Sequence, residues 1–164
     1  MLYKTISLKG EQGMEKTVQA LNHVLVRLFN DILMIEERAL CTGEFKDLSV
    51  KEMHVLEAAG EAGEENNMSA LAQRLRVTTG TLTVSVQTLC RKGYLVTERA
   101  STDRRVVRVR TTEKAQRANE HHARFHRQMV ERVMKELSAE EQETLTHALE
   151  QLTCFFEDWE DSDA

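Results

Sequence analysis

Residues 68–99 read MSALAQRLRVTTGTLTVSVQTLCRKGYLVTER. The apolar period changes inside this stretch. Leu71, Ala72 and Leu75 recur at helical spacing and predict a short helix over Met68–Arg76, with Ser69 as its cap. Val77-Thr78-Thr79 interrupts that pattern. Thr78 or Thr79 then opens a second helix to Lys92, with Leu82, Val86 and Leu89 as its inward stripe and Gly93 as its stop. Two short helices joined this tightly read as a helix-turn-helix. Past Gly93 the period drops to two. Tyr94–Arg99 predicts one strand and Arg105–Arg110 (RVVRVR) a second, with Ala100–Arg104 as the tip of a hairpin. Helix-turn-helix followed by a basic hairpin is a winged helix-turn-helix.

Working outward, Val18, Leu21, Leu25, Leu28, Ile32 and Ile35 predict a long helix over 15–40, widened by Val24, Phe29 and Leu33 and ended at Thr42-Gly43. A stripe that wide needs more than one neighbour. Ser49-Val50-Lys51-Glu52 is a capping box opening a helix to about Ala59, with Gly60 as its stop and Glu61–Asn67 as a polar loop. Residues 112–136 predict another long helix. Ser138–Glu141 is a second capping box, opening a last helix to about Trp159 with Leu145, Ala148, Leu149, Leu152 and Phe156 inward. The organisation is then a flexible lead-in over 1–14, a helical dimerisation region over 15–48 and 112–160, and a winged helix-turn-helix domain over 49–111. The fold class is mainly α with one small β-hairpin. Absence of proline and scarcity of aromatics, 5% of 164 residues, agree with that.

Composition narrows the function. The expectation is a cytoplasmic chain: the N-terminus has no continuous apolar core of a secretory signal, and the longest apolar segment, Leu21–Met34, is broken by Asn22, His23, Arg27, Asn30 and Asp31, so no bilayer span and no membrane partner are expected. Cys41, Cys90 and Cys154 are odd in number and form no C-x-x-C, which argues against a disulfide framework and leaves a redox-sensing thiol open. No nucleophile elbow, phosphate loop or dinucleotide glycine pattern is present, so no catalytic residue is assigned and no enzyme is expected.

Charge is segregated. The whole chain carries a formal net charge of -5, yet residues 68–115 carry +7 and the remainder -12. Residues 99–110, RASTDRRVVRVR, hold five arginines against Asp103. A basic module on an acidic body suggests one face that meets a polyanion. A helical pair suits the major groove of double-stranded DNA. Thr78 and Thr79 place hydroxyls and open N–H groups at a helix N-terminus, where a phosphate fits. Away from the inward stripe lie Thr81, Thr83, Val84, Gln87 and Arg91; Gln87 suits adenine, and Val84 a thymine methyl. Arg104 and Arg105 at the hairpin tip suit an adjacent minor groove.

The runs LAQRLRVTTGTLT (71–83), LCRKGYL (89–95), DRR (103–105) and TTEKA (111–115) resemble the MarR family of bacterial regulators. The resemblance implies a dimeric winged helix-turn-helix protein in which Arg105 enters the minor groove and Asp103 orients a neighbouring basic group. The family's L-T-x-x-G after the wing departs here at the Leu and Gly positions, Thr111 and Ala115. FNDILMIEE (29–37), FKDLSVKEMH (45–54), VTTGTLT (77–83) and RFHRQMVE (124–131) further resemble the FabT-type group within it. That likeness implies a homodimeric repressor of type II fatty-acid synthesis genes, bound to an inverted repeat. It also implies acyl carrier protein loaded with a long acyl chain as corepressor, with no other cofactor. Leu25, Phe29, Leu33, Val55, Phe125 and Met129 are candidates to line an acyl pocket, or else belong to the core. His122 and His126 stand at i, i+4, a spacing that can chelate a metal. No H-E-x-x-H accompanies them and no Cys or carboxylate falls at a matching position, so no metal ligand is assigned. Response to a metal, an oxidant or a small aromatic ligand is the alternative to the acyl signal, and a helical protein-interaction module is a further one.

Overall fold

The computed structural model describes the backbone of residues 2–41, 43–63, 66–99 and 106–162, and the side chains of 13–40, 43–63, 66–99 and 106–156. Six helices and a two-stranded antiparallel sheet follow in the order α1 (Leu2–Cys41), α2 (Val50–Glu61), α3 (Met68–Arg74), α4 (Thr79–Arg91), β1 (Leu95–Arg99), β2 (Val107–Thr111), α5 (Glu113–Met134) and α6 (Ala139–Ser162). The described chain divides into two compact units, 1–118 and 119–164. That boundary falls inside α5.

The caps explain where the helices start. Ser49 accepts from the Glu52 amide (3.2 Å), and the Glu52 carboxylate accepts in return from the Ser49 amide (2.8 Å), which completes the expected box. Ser138 and Glu141 repeat it at α6. Asn67, not Ser69, caps α3: its Oδ1 accepts from the amides of Ser69 (3.1 Å) and Ala70 (3.0 Å). A carboxamide oxygen at the residue before the helix reaches both free donors, and Ser69 already lies inside the turn. Gly60 does not stop α2. The helix runs to Glu61, and the left-handed residue that follows is Gly63, at φ +58°. α1 begins at Leu2, so residues 2–14 of the expected lead-in are helical backbone.

The core of the first unit is one cluster. Met53, Leu56 and Ala59 of α2, Leu71 of α3, Leu82, Val86 and Leu89 of α4, Leu95 of β1 and Val109 of β2 meet within it. The expected inward stripe of α4 is therefore its buried face. The loop before α2 adds Phe45 and Leu48, and the first turns of α5 add Ala115 and Ala118. Ala115 occupies the position where the family pattern has Gly; a small side chain there lets α5 lie against the core. Tyr94, expected to begin a strand, is fully buried and precedes β1. The wing pairs Leu95 with Thr111 and Arg99 with Val107. It gains a third partner that the sequence reading missed: Asn67 bridges Arg108, and the Val109 amide donates to the Asn66 carbonyl (2.9 Å). The polar loop expected over 61–67 thus ends as a strand edge.

Against expectation, Gly13–Leu40 is long and apolar enough to cross a bilayer by length and composition, at mean hydropathy 1.2. Arg27 and Asp31 pair at 3.4 Å in the middle of that helix. Lipid would leave both charges desolvated.

Both ends of α4 supply a test. Gly93 sits at φ +78°, whereas a Cβ on Gly80 would meet nothing nearer than Thr78 Oγ1 at 3.8 Å. Gly93→Ala should lower stability by about 1–2 kcal/mol. Gly80→Ala should raise it by up to about 1 kcal/mol. Urea midpoints moving in opposite directions are the expected result.

Candidate nucleic-acid interface

Thr78 caps α4 with its hydroxyl, accepting from the Thr81 amide at 3.2 Å. The Leu82 amide bonds the Thr78 carbonyl (3.0 Å). Among the described residues, the amides of Thr79 and Gly80 then have no partner. Two open N–H groups at the positive end of a helix can accept an anion such as a phosphate. Thr83 donates its hydroxyl proton back to the Thr79 carbonyl (2.7 Å). It can therefore offer an outside group only lone pairs and a methyl. Thr78 and Thr81 share a proton between hydroxyls at 2.9 Å.

The exposed face of α4 carries Thr79, Gly80, Thr81, Thr83, Val84, Gln87 and Arg91, as the sequence placed them. Val84 is 65% exposed, so its methyl groups are open to an outside apolar group. Among the described residues the Gln87 carboxamide has no hydrogen-bond partner, and Arg91 is steadied by its bond to Thr88 Oγ1 (2.9 Å). Val86, Gln87, Cys90, Arg91 and Thr97 line an open groove between α4 and β1. Burial pushes the Cys90 thiol up, which favours its protonated form. Asp103, Arg104 and Arg105 lie outside the described residues.

Several of the basic residues counted by sequence are paired with acids or carbonyls of the protein itself. Lys92 Nζ donates to both Glu52 oxygens (2.8 Å each) and to the Asp47 carbonyl. Lys114 Nζ donates to the Lys92 carbonyl (3.1 Å), reaches Asp47 Oδ2 at 3.5 Å and lies 3.9 Å over the Tyr94 ring. Tyr94 donates to Asp47 Oδ1 at 2.7 Å. Arg74 pairs with Glu61 (3.0 Å) and Arg110 with Glu98 (2.6 Å). Lys92 and Lys114 thus fasten the C-terminal end of α4, the start of α5 and the loop before α2 to one another. Sequence spacing could not separate fastening lysines from DNA-facing ones, because their acids lie 40 and 67 residues away along the chain. Burial alone would raise the Glu52 pKa, but the Lys92 and Ser49 hydrogen bonds outweigh it and hold the carboxyl below its usual range. Burial and the Asp47 contact push the Tyr94 phenol far upward, so it remains a donor.

A sequence profile of the winged helix DNA-binding domain matches residues 48–115. The structure of Streptococcus pneumoniae FabT in complex with DNA is 40% identical, with a TM-score of 0.82, covering 85% of this chain and 97% of that one. The chain belongs to the MarR family. Two further MarR-like folds match at lower identity. The S. aureus MepR–DNA complex is 18% identical over 81% of this chain and 96% of its own, with a TM-score of 0.67. A MarR family protein from Bacillus stearothermophilus is 21% identical over 87% and 96%, with a TM-score of 0.71. No curated protein matches. As a MarR-type protein the chain is a DNA-binding transcriptional regulator, not an enzyme.

The acyl-pocket candidates differ in burial. Val55 is buried in the core, whereas Phe29 and Leu33 are half-exposed on α1. Leu25 is partly buried on α1, and Phe125 and Met129 are partly buried on α5 in the second unit. Leu33 does line an open groove of about 630 Å³ with Met34, Glu37, Ser49, Val50, Lys51 and His54. Of these only Leu33 was anticipated.

Two measurements follow. Glu52 has a depressed folded-state pKa, so the stability its pair with Lys92 supplies is complete above the ordinary carboxylate range and is lost as pH falls through and below it. The urea midpoint of the native chain should drop on acidification from pH 6 to pH 3. Glu52→Gln should cost about 1–3 kcal/mol at pH 7 and flatten that drop. Gln87→Ala should reduce discrimination between operator and scrambled duplex by about 1–3 kcal/mol without changing the salt dependence; equal loss on both duplexes would contradict base reading.

Proposed function

We propose that this MarR-type regulator is a homodimeric repressor of type II fatty-acid synthesis genes, binding an inverted-repeat operator. Long-chain acyl carrier protein is its corepressor. The observation that carries the reading is the 40% identity to FabT across most of both chains, concentrated on a chain whose α4 presents an open N-terminus and an exposed Val84–Gln87 face. In this reading Asp103, Arg104 and Arg105 form the wing tip that enters the minor groove.

Apolar exposure supports the dimer. Val18, Leu21, Val24, Leu28, Phe29 and Ile35 of α1 are each about half-exposed, as are Leu149, Phe155 and Phe156 of α6. Monomers rarely leave contiguous apolar patches of this kind open. A two-fold pair would cover them and space two α4 helices for two half-sites. A DNA-binding regulator works where the chromosome is, consistent with the cytoplasm.

The groove beside Leu33, Met34 and Val50 supports an apolar effector, and Lys51 at its rim suits an acidic carrier. A ligand changes DNA affinity only by its unequal affinity for the DNA-competent and free states. The coupling is therefore measurable as a shift in operator affinity.

The test is fluorescence anisotropy with a labelled inverted-repeat duplex from upstream of a fatty-acid synthesis operon. Acylated carrier protein should tighten specific binding by about fivefold or more. Carrier without an acyl chain should do nothing. Arg105→Ala should weaken operator binding by about 1–3 kcal/mol with the fold intact. Specific binding indifferent to the acylated carrier would retain the repressor and reject this effector.

A further inference from the structure

Helix α5 carries His122 and His126 one turn apart within the second unit, and the fold brings their Nε2 atoms to 3.1 Å. The ring centroids are 4.4 Å apart and the ring planes stand at 83°. His122 is 2% exposed and His126 is partly buried. Phe125 lies edge-on to His126, with centroids 5.2 Å apart, and gives the pair an apolar flank. Spacing on a helix only permits two imidazoles to meet. The converging nitrogens are what the structure adds.

Two neutral imidazoles make that contact only as unlike tautomers, one Nε2 bearing hydrogen and the other bare. The same separation suits a shared cation. A zinc–imidazole bond is about 2.0–2.1 Å, so two of them meeting at a right-angled to tetrahedral opening hold their nitrogens about 2.9–3.4 Å apart. The observed 3.1 Å falls inside that span. Imidazole nitrogen selects zinc, copper, nickel or cobalt over calcium and magnesium, which take oxygen donors.

We propose that His122 and His126 form a binding site for a divalent transition-metal ion of the zinc class, held through both Nε2 atoms. Water or further side chains complete its coordination. The inference is independent of the fatty-acid reading, because it rests only on the α5 pair.

The test uses the full-length protein, free of any affinity tag and stripped of metal by a chelator. Co²⁺ is titrated in while its visible absorption is recorded, and Zn²⁺ is titrated against a chromophoric competitor. One ion should bind per chain, with a rise in thermal midpoint that grows with metal concentration. His126→Ala should weaken binding about tenfold or more, and His122→Ala likewise. His121→Ala and His147→Ala should leave it within about twofold. His122 is buried, so His126→Ala, checked for native circular dichroism and operator binding, decides the matter by itself. Unchanged Zn²⁺ affinity and Co²⁺ spectrum in folded His126→Ala would overturn the site. So would failure of the native chain to bind Zn²⁺ in the micromolar range.

Discussion

The Lys92 ammonium lies between the Glu52 carboxylate and the Asp47 carbonyl, and the geometry of the winged domain hangs on it. Helix α4 must project an exposed face at a fixed angle, yet its buried face is only Leu82, Val86 and Leu89. Apolar contacts resist separation but let a short helix turn about its axis. Directional bonds do not. Lys92 stands at the C-cap of α4, Glu52 is in the first turn of α2, and Asp47 belongs to the loop between α1 and α2. Tyr94 and Lys114 close on the same Asp47 from the start of the wing and from α5. Glu52 also serves the capping box of α2, so one carboxylate both begins that helix and ties it to α4. Loosening it would disturb the α4 face without touching a residue on it.

Much of this was legible in residues 68–99 because the deciding signals are local. Threonine at a cap, glycine in a left-handed turn and a change of apolar period each act within a few residues. Thr78, Gly93 and the Leu82–Val86–Leu89 stripe were read correctly for that reason. The misreadings share the opposite cause. Gly60 looked like a stop, but helix ends are set by which carbonyls find partners, and Gly63 supplies the required backbone. Asn67 looked like loop because its bridge to Arg108 spans the whole helix-turn-helix. Lys92 and Lys114 looked like part of a DNA-facing patch because their acids come from distant sequence.

The charge segregation acquires a different meaning in three dimensions. Part of the +7 of residues 68–115 is neutralised by Glu61, Glu52 and Asp47, all of them upstream of that segment. What remains on α4 itself is sparse: Arg91, two open amides and a row of threonines. In the proposed DNA complex, recognition there would depend more on close approach than on net charge. The absence of a side chain at Gly80 and the small ones at Thr81 and Thr83 would let the helix backbone near a phosphate, and Val84 and Gln87 would offer one apolar and one bidentate polar group to base edges.

Helix α1 poses the problem that the winged domain does not. By length and composition it passes for a membrane span, and by exposure it is a surface that water should not be left to cover. The charged groups decide between the two. Arg27 and Asp31 pair midway along the apolar segment, exposed enough for water to reach both. In hydrocarbon that pair would lose its hydration on every side; against a second protein helix it needs to shed water on one side only. A two-fold copy of the same helix brings the same apolar stripe and the same self-satisfied pair. In the proposed dimer that surface would meet a partner of its own kind, and the pair would present two α4 faces to one duplex.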